Sequence, residues 1–225
     1  MLFVTPEQLV ELYPRLFHMA NVGSWPAIQS EGLLSTRQLV DACNPPQAVR
    51  DAVLHQRRPC SIALIHPRRG QVVVRDQGPL REDNLHACLS GMTVQEWLDM
   101  LNDRVFFWLH PEKLSTLLQA RLYRNREHDV LTVDTRSLLV THATNIRLSP
   151  MNSGATIFPN ASQRGPGTFL RIEDYPYQER RRQRTIKDAV VELVVLDGVP
   201  DIVDHVLRVE RRRGMDVLAV LYNRN

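Results

Sequence analysis

The chain has 225 residues, 43% of them hydrophobic and 24% charged, with a formal net charge of +3. A compact chain of this length withdraws about 70% of its unfolded surface from water, so it needs no disulfide or metal staple, and its composition excludes disorder. Three cysteines without a CxxC pair, and no apolar run near the ~20 residues that span a bilayer, exclude a disulfide framework, a cysteine zinc site and a membrane helix as expectations.

The N-terminal stretch MLFVTPEQLVELYPRLFH has no basic start ahead of an apolar segment, so no secretory signal and a cytoplasmic location are expected. Residues 6–16 read as a short helix opened by Pro6, and LFHMA (16–20) as a strand. Ser24, Trp25 and Pro26 open a helix that ends at Gly32, and Ser35 caps another, TRQLVDAC. Residues 45–57 form a third, entered through Pro45 and Pro46. SIALIH (61–66) and QVVVRD (71–76) form a hairpin about RRG. LREDNLHACL (80–89) is helical, and Thr93 caps a helix with Val94, Trp97, Leu98 and Leu101 on one face. RVFFWLH (104–110) is an apolar strand, a helix follows with Leu114, Leu117, Leu118 and Leu122, and DVLTVD (129–134) is a strand.

Residues 143–187, with NSG, RGPG and the arginine-rich RRRQR (180–184), read as a long loop region with short strands, a kind of segment that is usually functional or mobile. AVVELVVL (189–196) is a buried strand. A helix is expected from Pro200, burying Ile202, Val203, Val206 and Leu207 and ending in RRRG, where cations and glycine suit a helix C-terminus. DVLAVLY (216–222) is the last strand. The mixture predicts one α+β domain over residues 1–225, without internal repeats.

Glu192 is the most informative position. It interrupts an apolar strand, where a carboxylate loses hydration and its pKa rises unless a cation or hydrogen bonds compensate. An edge-strand glutamate paired with an arginine is the bland alternative. His18 has a similar apolar setting, in which a core histidine is the bland reading. The other histidines lack HExxH or similar spacing, so no metal site is expected. GxSxG, Walker and GxGxxG motifs are absent. Lysine occurs only at Lys113 and Lys187, and the arginine excess suits phosphate but also fits genomic base composition. Arg181 and Arg182 within RRRQR are candidates for phosphate contact or for a solvated face. Asn152 and Ser153 of SPMNSG are candidate ligand contacts or a simple Asn/Ser turn. RDQGP (75–79) is similar, a candidate ligand contact or simply a mutual pair of Arg75 and Asp76.

FHMANVGSWPAIQSEGLLS (17–35) resembles the first NAD-binding segment of the DarT-type DNA ADP-ribosyltransferases and, more distantly, that of the RNA 2′-phosphotransferases. HQRRPCSI (55–62), RVFFWLHPEKL (104–114) and DAVVELVVLDGVPDIVDHV (188–206) are similar to later segments of the DarT-type family, in the same order. The chain as a whole, roughly residues 14–209, resembles a bacterial domain family of unknown function whose recurring words are RDQGPL, RVFFW, VDTRSL, SPMNSG and DYP. The DarT-type resemblance implies an ADP-ribosyltransferase-like mixed sheet flanked by helices, NAD as co-substrate, DNA or RNA as acceptor, a toxin or defence role, and a possible antitoxin partner. It implies Glu192 as the catalytic carboxylate and Arg58 as a catalytic or pyrophosphate-binding group, with Arg57 as its runner-up. It implies His18 as a ribose contact, Asn21 and Ser35 as further hydrogen-bonding groups, and Tyr123 as a nicotinamide-stacking ring or a core residue on its helix. A non-catalytic nucleotide- or nucleic-acid-binding module, and an RNA 2′-phosphotransferase-like enzyme, are the alternatives.

Overall fold

Three capping boxes set helix starts in the computed structural model, which describes residues 3–224. Thr5, Ser35 and Thr93 each accept the backbone N–H of the residue three positions on, and Gln8, Gln38 and Glu96 return the bond. The elements in chain order are α1 (Pro6–Leu12), β1 (Arg15–Asn21), α2 (Trp25–Glu31), α3 (Thr36–Cys43), α4 (Gln47–His55), β2 (Ile62–His66), β3 (Gly70–Val74), α5 (Glu82–Cys88), α6 (Val94–Asn102) and β4 (Arg104–Trp108). Then follow α7 (Pro111–Gln119), β5 (Glu127–Asp134), α8 (Thr135–His142), β6 (Ile146–Ser149), α9 (Tyr177–Gln183), α10 (Ile186–Ala189), β7 (Glu192–Leu196), β8 (Val206–Arg213) and β9 (Asp216–Asn223).

Seven strands form one antiparallel sheet in the order β6-β7-β4-β1-β5-β8-β9, and β2 and β3 form a separate hairpin. The fold is α+β, as the mixture of patterns predicts. Alternation along the strands sends Leu16, Leu131, Val105, Phe107, Leu193 and Val195 into the largest core, which Leu9 of α1 and Leu138 of α8 complete. The opposite face is covered in two parts. Trp97 and Leu98 of α6 pack with Val194 and Phe169, and Leu114 and Leu118 of α7 pack with Met19 and Val130.

Several expectations are corrected. No helix runs from Pro200 to Gly214. A short 3-10 turn (Ile202–Asp204) leads into β8 instead. Val206 and Val209 are buried in the sheet, while Arg211 pairs with Asp129 and Arg213 with Glu127 on β5. Acidic partners across the ladder, not a helix dipole, answer those cations. Residues 143–187 hold β6 and two helices as well as loops, and RRRQR lies on and just after α9. Helix α8, which the sequence reading left out, starts at Thr135 with Asp134 accepting the N–H of Ser137. Helix α7 ends at Gln119, so Leu122 and Tyr123 lie in the turn beyond it.

Gly32 closes α2 at φ 89°, and a Cβ there would stand 2.5 Å from the Pro200 Cα. The close approach lets Leu33 and Val199 form a two-way backbone bridge. Gly32→Ala therefore combines left-handed strain with a backbone clash. It is expected to lower the unfolding free energy by roughly 2 kcal/mol, read from urea midpoints.

Candidate active site

One residue row crosses four strands of the sheet: Phe17 of β1 faces Trp108 of β4, Trp108 faces Glu192 of β7, and Glu192 faces Ser149 of β6. Strand spacing puts the Phe17 and Glu192 backbones roughly 10 Å apart. β1 and β4 pair at that row alone, whereas β4 and β7 pair along the whole of β4. The sheet is split there, and a cavity of about 410 Å³ occupies the region, lined by both Met19–Asn21 and Arg104–Phe106.

His18 bridges the split. Its Nδ1 lies 2.9 Å from the Phe106 carbonyl oxygen. A carbonyl only accepts, so Nδ1 carries the proton and the neutral ring keeps a lone pair on Nε2. Burial pushes its pKa down to about 4, against the Phe106 bond, which raises it. The imidazole is neutral at pH 7.

Glu192 opens β7 and is 4% exposed. Its Oε2 accepts from the Ser153 backbone N–H at 3.1 Å and from the Ser153 hydroxyl at 2.7 Å. Its Oε1 has no protein hydrogen bond among the described residues, and the side chain lines the cavity. Loss of hydration pushes the pKa up to about 7, outweighing the Ser153 bonds and the Arg164 charge, which lower it. Arg164 itself is buried and donates to the carbonyls of Asn152, Ala155 and Ser162, fixing the loop that presents Ser153.

The two groups bend stability in opposite directions with pH. Folded Glu192 holds its proton up to about pH 7, against 4.5 for the free side chain, so stability falls as pH rises between those values. Folded His18 stays neutral down to about pH 4, against 6.5, so stability rises across that window. The wild-type profile is expected to be flat where they overlap. Glu192→Gln should unmask a rise of about 2–3 kcal/mol toward pH 6.5, and His18→Gln a comparable fall toward pH 7. Urea melts across the pH range decide it, and equal slopes in all three proteins refute the opposition.

Arg58 is 4% exposed and lines the same cavity. Its Nε donates to the Arg75 carbonyl, and its Nη1 to the Val53 carbonyl and the Asn102 side-chain oxygen. Burial pushes its pKa down to about 10, partly offset by Asp76. Its Nη2 has no acceptor among the described residues. Asn21, Asn152 and Tyr123 also line the cavity. Tyr123 is buried with its hydroxyl donating to Asp76 at 2.9 Å, which makes it part of the wall.

Four expected residues are not brought to the cavity. Ser35 is buried as the cap of α3, and Arg57 spends its Nε on the Leu80 carbonyl. Arg181 and Arg182 are exposed on α9, outside the cavity lining. Arg75, read as a partner of Asp76, instead donates from Nη1 to the Met19 carbonyl at 2.6 Å and lies over the Tyr123 ring, 5.3 Å from its centroid. It lines the cavity beside Arg58, a cation to which the sequence analysis assigns no site role. Its place directly after the apolar VVV of β3 was the available signal. A second cavity of about 720 Å³ adjoins the first, sharing Trp108, Tyr123 and Asn152, and is lined by Lys113, Arg121, Arg180 and Arg184.

Among the described residues, no helix is long and apolar enough to cross a membrane. A protein-family model described as "Family of unknown function (DUF7002)" matches residues 14–206. No curated protein matches the chain.

Proposed function

For a chain that belongs to the DUF7002 family, a family of unknown function, we propose an NAD-dependent ADP-ribosyltransferase that modifies nucleic acid. The observation that carries the reading is the Glu192 carboxylate, held through one oxygen by Ser153 and free at the other in a cavity that His18, Asn21, Arg58 and Arg75 also line. Breaking the nicotinamide–ribose bond develops positive charge on the ribose. The ionised Glu192 stabilises that charge, and as the acceptor oxygen or nitrogen bonds to the ribose carbon, Glu192 takes its proton while nicotinamide leaves. The neutral His18 accepts a hydrogen bond from a ribose hydroxyl at Nε2. Arg58 offers its remaining nitrogen, and Arg75 its charge, to the pyrophosphate.

The acceptor approaches through the adjoining cavity, where Arg121, Arg180 and Arg184 meet phosphates. DNA or RNA fits that lining, and a role as a toxin or defence enzyme, with or without an antitoxin, follows from such an activity. The test is nicotinamide release from NAD with DNA, RNA or protein offered as acceptor, with mass transfer to the acceptor measured in parallel. Release that depends on nucleic acid supports the reading. Absence of release by folded wild type refutes it, and binding of nucleic acid without chemistry then identifies a binding module.

A further inference from the structure

Away from the cavity, two chain segments bring two imidazoles onto one carboxylate. His142 ends α8, Asp201 precedes the 3-10 turn, and His205 follows it. The His142 Nε2 lies 2.6 Å from Asp201 Oδ1, and the His205 Nε2 lies 3.2 Å from Asp201 Oδ2. One donor atom from each residue falls within 4.8 Å of the other two. None of the three lines the cavity of Glu192.

We propose that His142, Asp201 and His205 form a binding site for a zinc-class divalent cation. The donor set is two imidazole nitrogens and one carboxylate oxygen, the borderline set such ions take. Tetrahedral zinc, with bonds of about 2.0–2.1 Å, needs ligand atoms roughly 3.3 Å apart, so the cluster closes on an ion through small side-chain rotations.

The surroundings hold the His205 ring against Asp201 and give its Nδ1 a partner in either tautomer. Ser137 Oγ lies 2.6 Å from the His205 Nδ1 and 3.4 Å from the Asp204 carbonyl oxygen. A hydroxyl has one proton. Donated to Nδ1 across the shorter distance, it leaves the His205 Nε2–H donating to the Asp201 carboxylate, and a cation that binds displaces this proton. Nδ1 then carries the ring's proton and donates it to Oγ, whose own proton turns to the Asp204 carbonyl. This outer bond, which fixes the ring, is the kind of support that metal-bound histidines have. Arg224, which docks on the same turn, donates to the carbonyls of Val203 and Asp204 and leaves the carboxylate to the imidazoles.

The His205 side chain is 3% exposed, His142 12% and Asp201 30%. Solvent therefore reaches the open side, where a water completes the coordination. The consequence is mechanical. An ion here ties α8 to the segment after β7, in which Val199 pairs with Leu33 and Pro200 backs Gly32. Gly32 and Leu33 line the cavity, so the ion braces its wall without taking part in chemistry.

The full chain, stripped with a chelator and dialysed, is titrated with Zn²⁺ against a chromophoric competitor, and its thermal midpoint is followed in parallel. One Zn²⁺ per chain and a metal-dependent rise in the midpoint are expected. Asp201→Asn and His142→Gln, both at partly exposed positions, should each weaken binding more than tenfold. Ser137→Ala should weaken it about 10–100-fold, the usual loss when an outer-shell partner is removed. Absence of stoichiometric uptake by folded wild type, or uptake unchanged in both Asp201→Asn and His142→Gln, overturns the site. Neither result bears on NAD turnover.

Discussion

Glu192→Gln is expected to lower nicotinamide release from NAD by about 10²–10⁴-fold at pH 8, the range for losing a positioned acid–base group. The amide is nearly isosteric, and its oxygen accepts from the Ser153 N–H and hydroxyl as Oε2 does. Only the charge and the proton-accepting capacity toward the cavity are lost. The fall therefore belongs in kcat, with KM for NAD little changed. The fold is retained, because the substitution removes a carboxylate whose ionised form burial disfavours. Wild-type kcat/KM should rise with pH through about 7, as Glu192 ionises, while His18 stays neutral throughout that range. Undiminished turnover by the variant would remove Glu192 from the chemistry and with it the proposed reaction.

The parts of this structure that were legible in the sequence are those set by local chemistry. Ser35 and Thr93 announce their helices because a hydroxyl three residues before a glutamine or glutamate satisfies orphan backbone donors wherever the chain goes. Glu192 stood out because a carboxylate in an apolar strand needs a reason, and burial of that strand was readable from composition. The turn and strand at 200–213 were misread because Ile202, Val203, Val206 and Leu207 also fit a helical face. What makes β8 a strand is its pairing with β5, where Asp129 and Glu127 answer Arg211 and Arg213 from more than 80 positions away. Nonlocal contacts of that kind also hide Arg75, which reaches the cavity only because β3 brings it to the Met19 carbonyl. They hide the His142, Asp201 and His205 cluster as well, since His142 stands 59 positions from Asp201. The split between β1 and β4 is a property of the whole sheet, and no residue of either strand signals it alone.

Arg58→Met is expected to destabilise the chain by roughly 2–4 kcal/mol, and the sign follows from two opposed effects. Removing the guanidinium relieves the burial that pushes its pKa down to about 10, a gain of about 3 kcal/mol at most. It also orphans the carbonyls of Val53 and Arg75 and the side-chain oxygen of Asn102, at about 1–3 kcal/mol each when buried. Those acceptors sit on α4, next to β3 and on α6, so the guanidinium ties together three elements around the cavity, and the second effect wins. Arg58 is thus a brace before it is a ligand group, and a loss of activity in Arg58→Met would say nothing about pyrophosphate. Arg58→Lys separates the roles. The ammonium keeps the charge but cannot reproduce the fork that spans these acceptors while leaving one nitrogen free. If Arg58 holds the pyrophosphate, KM for NAD rises in the folded Lys variant beyond any loss of folded protein. If it only braces, the urea midpoint falls while KM for NAD in the folded fraction stays at the wild-type value, and the phosphate contact passes to Arg75.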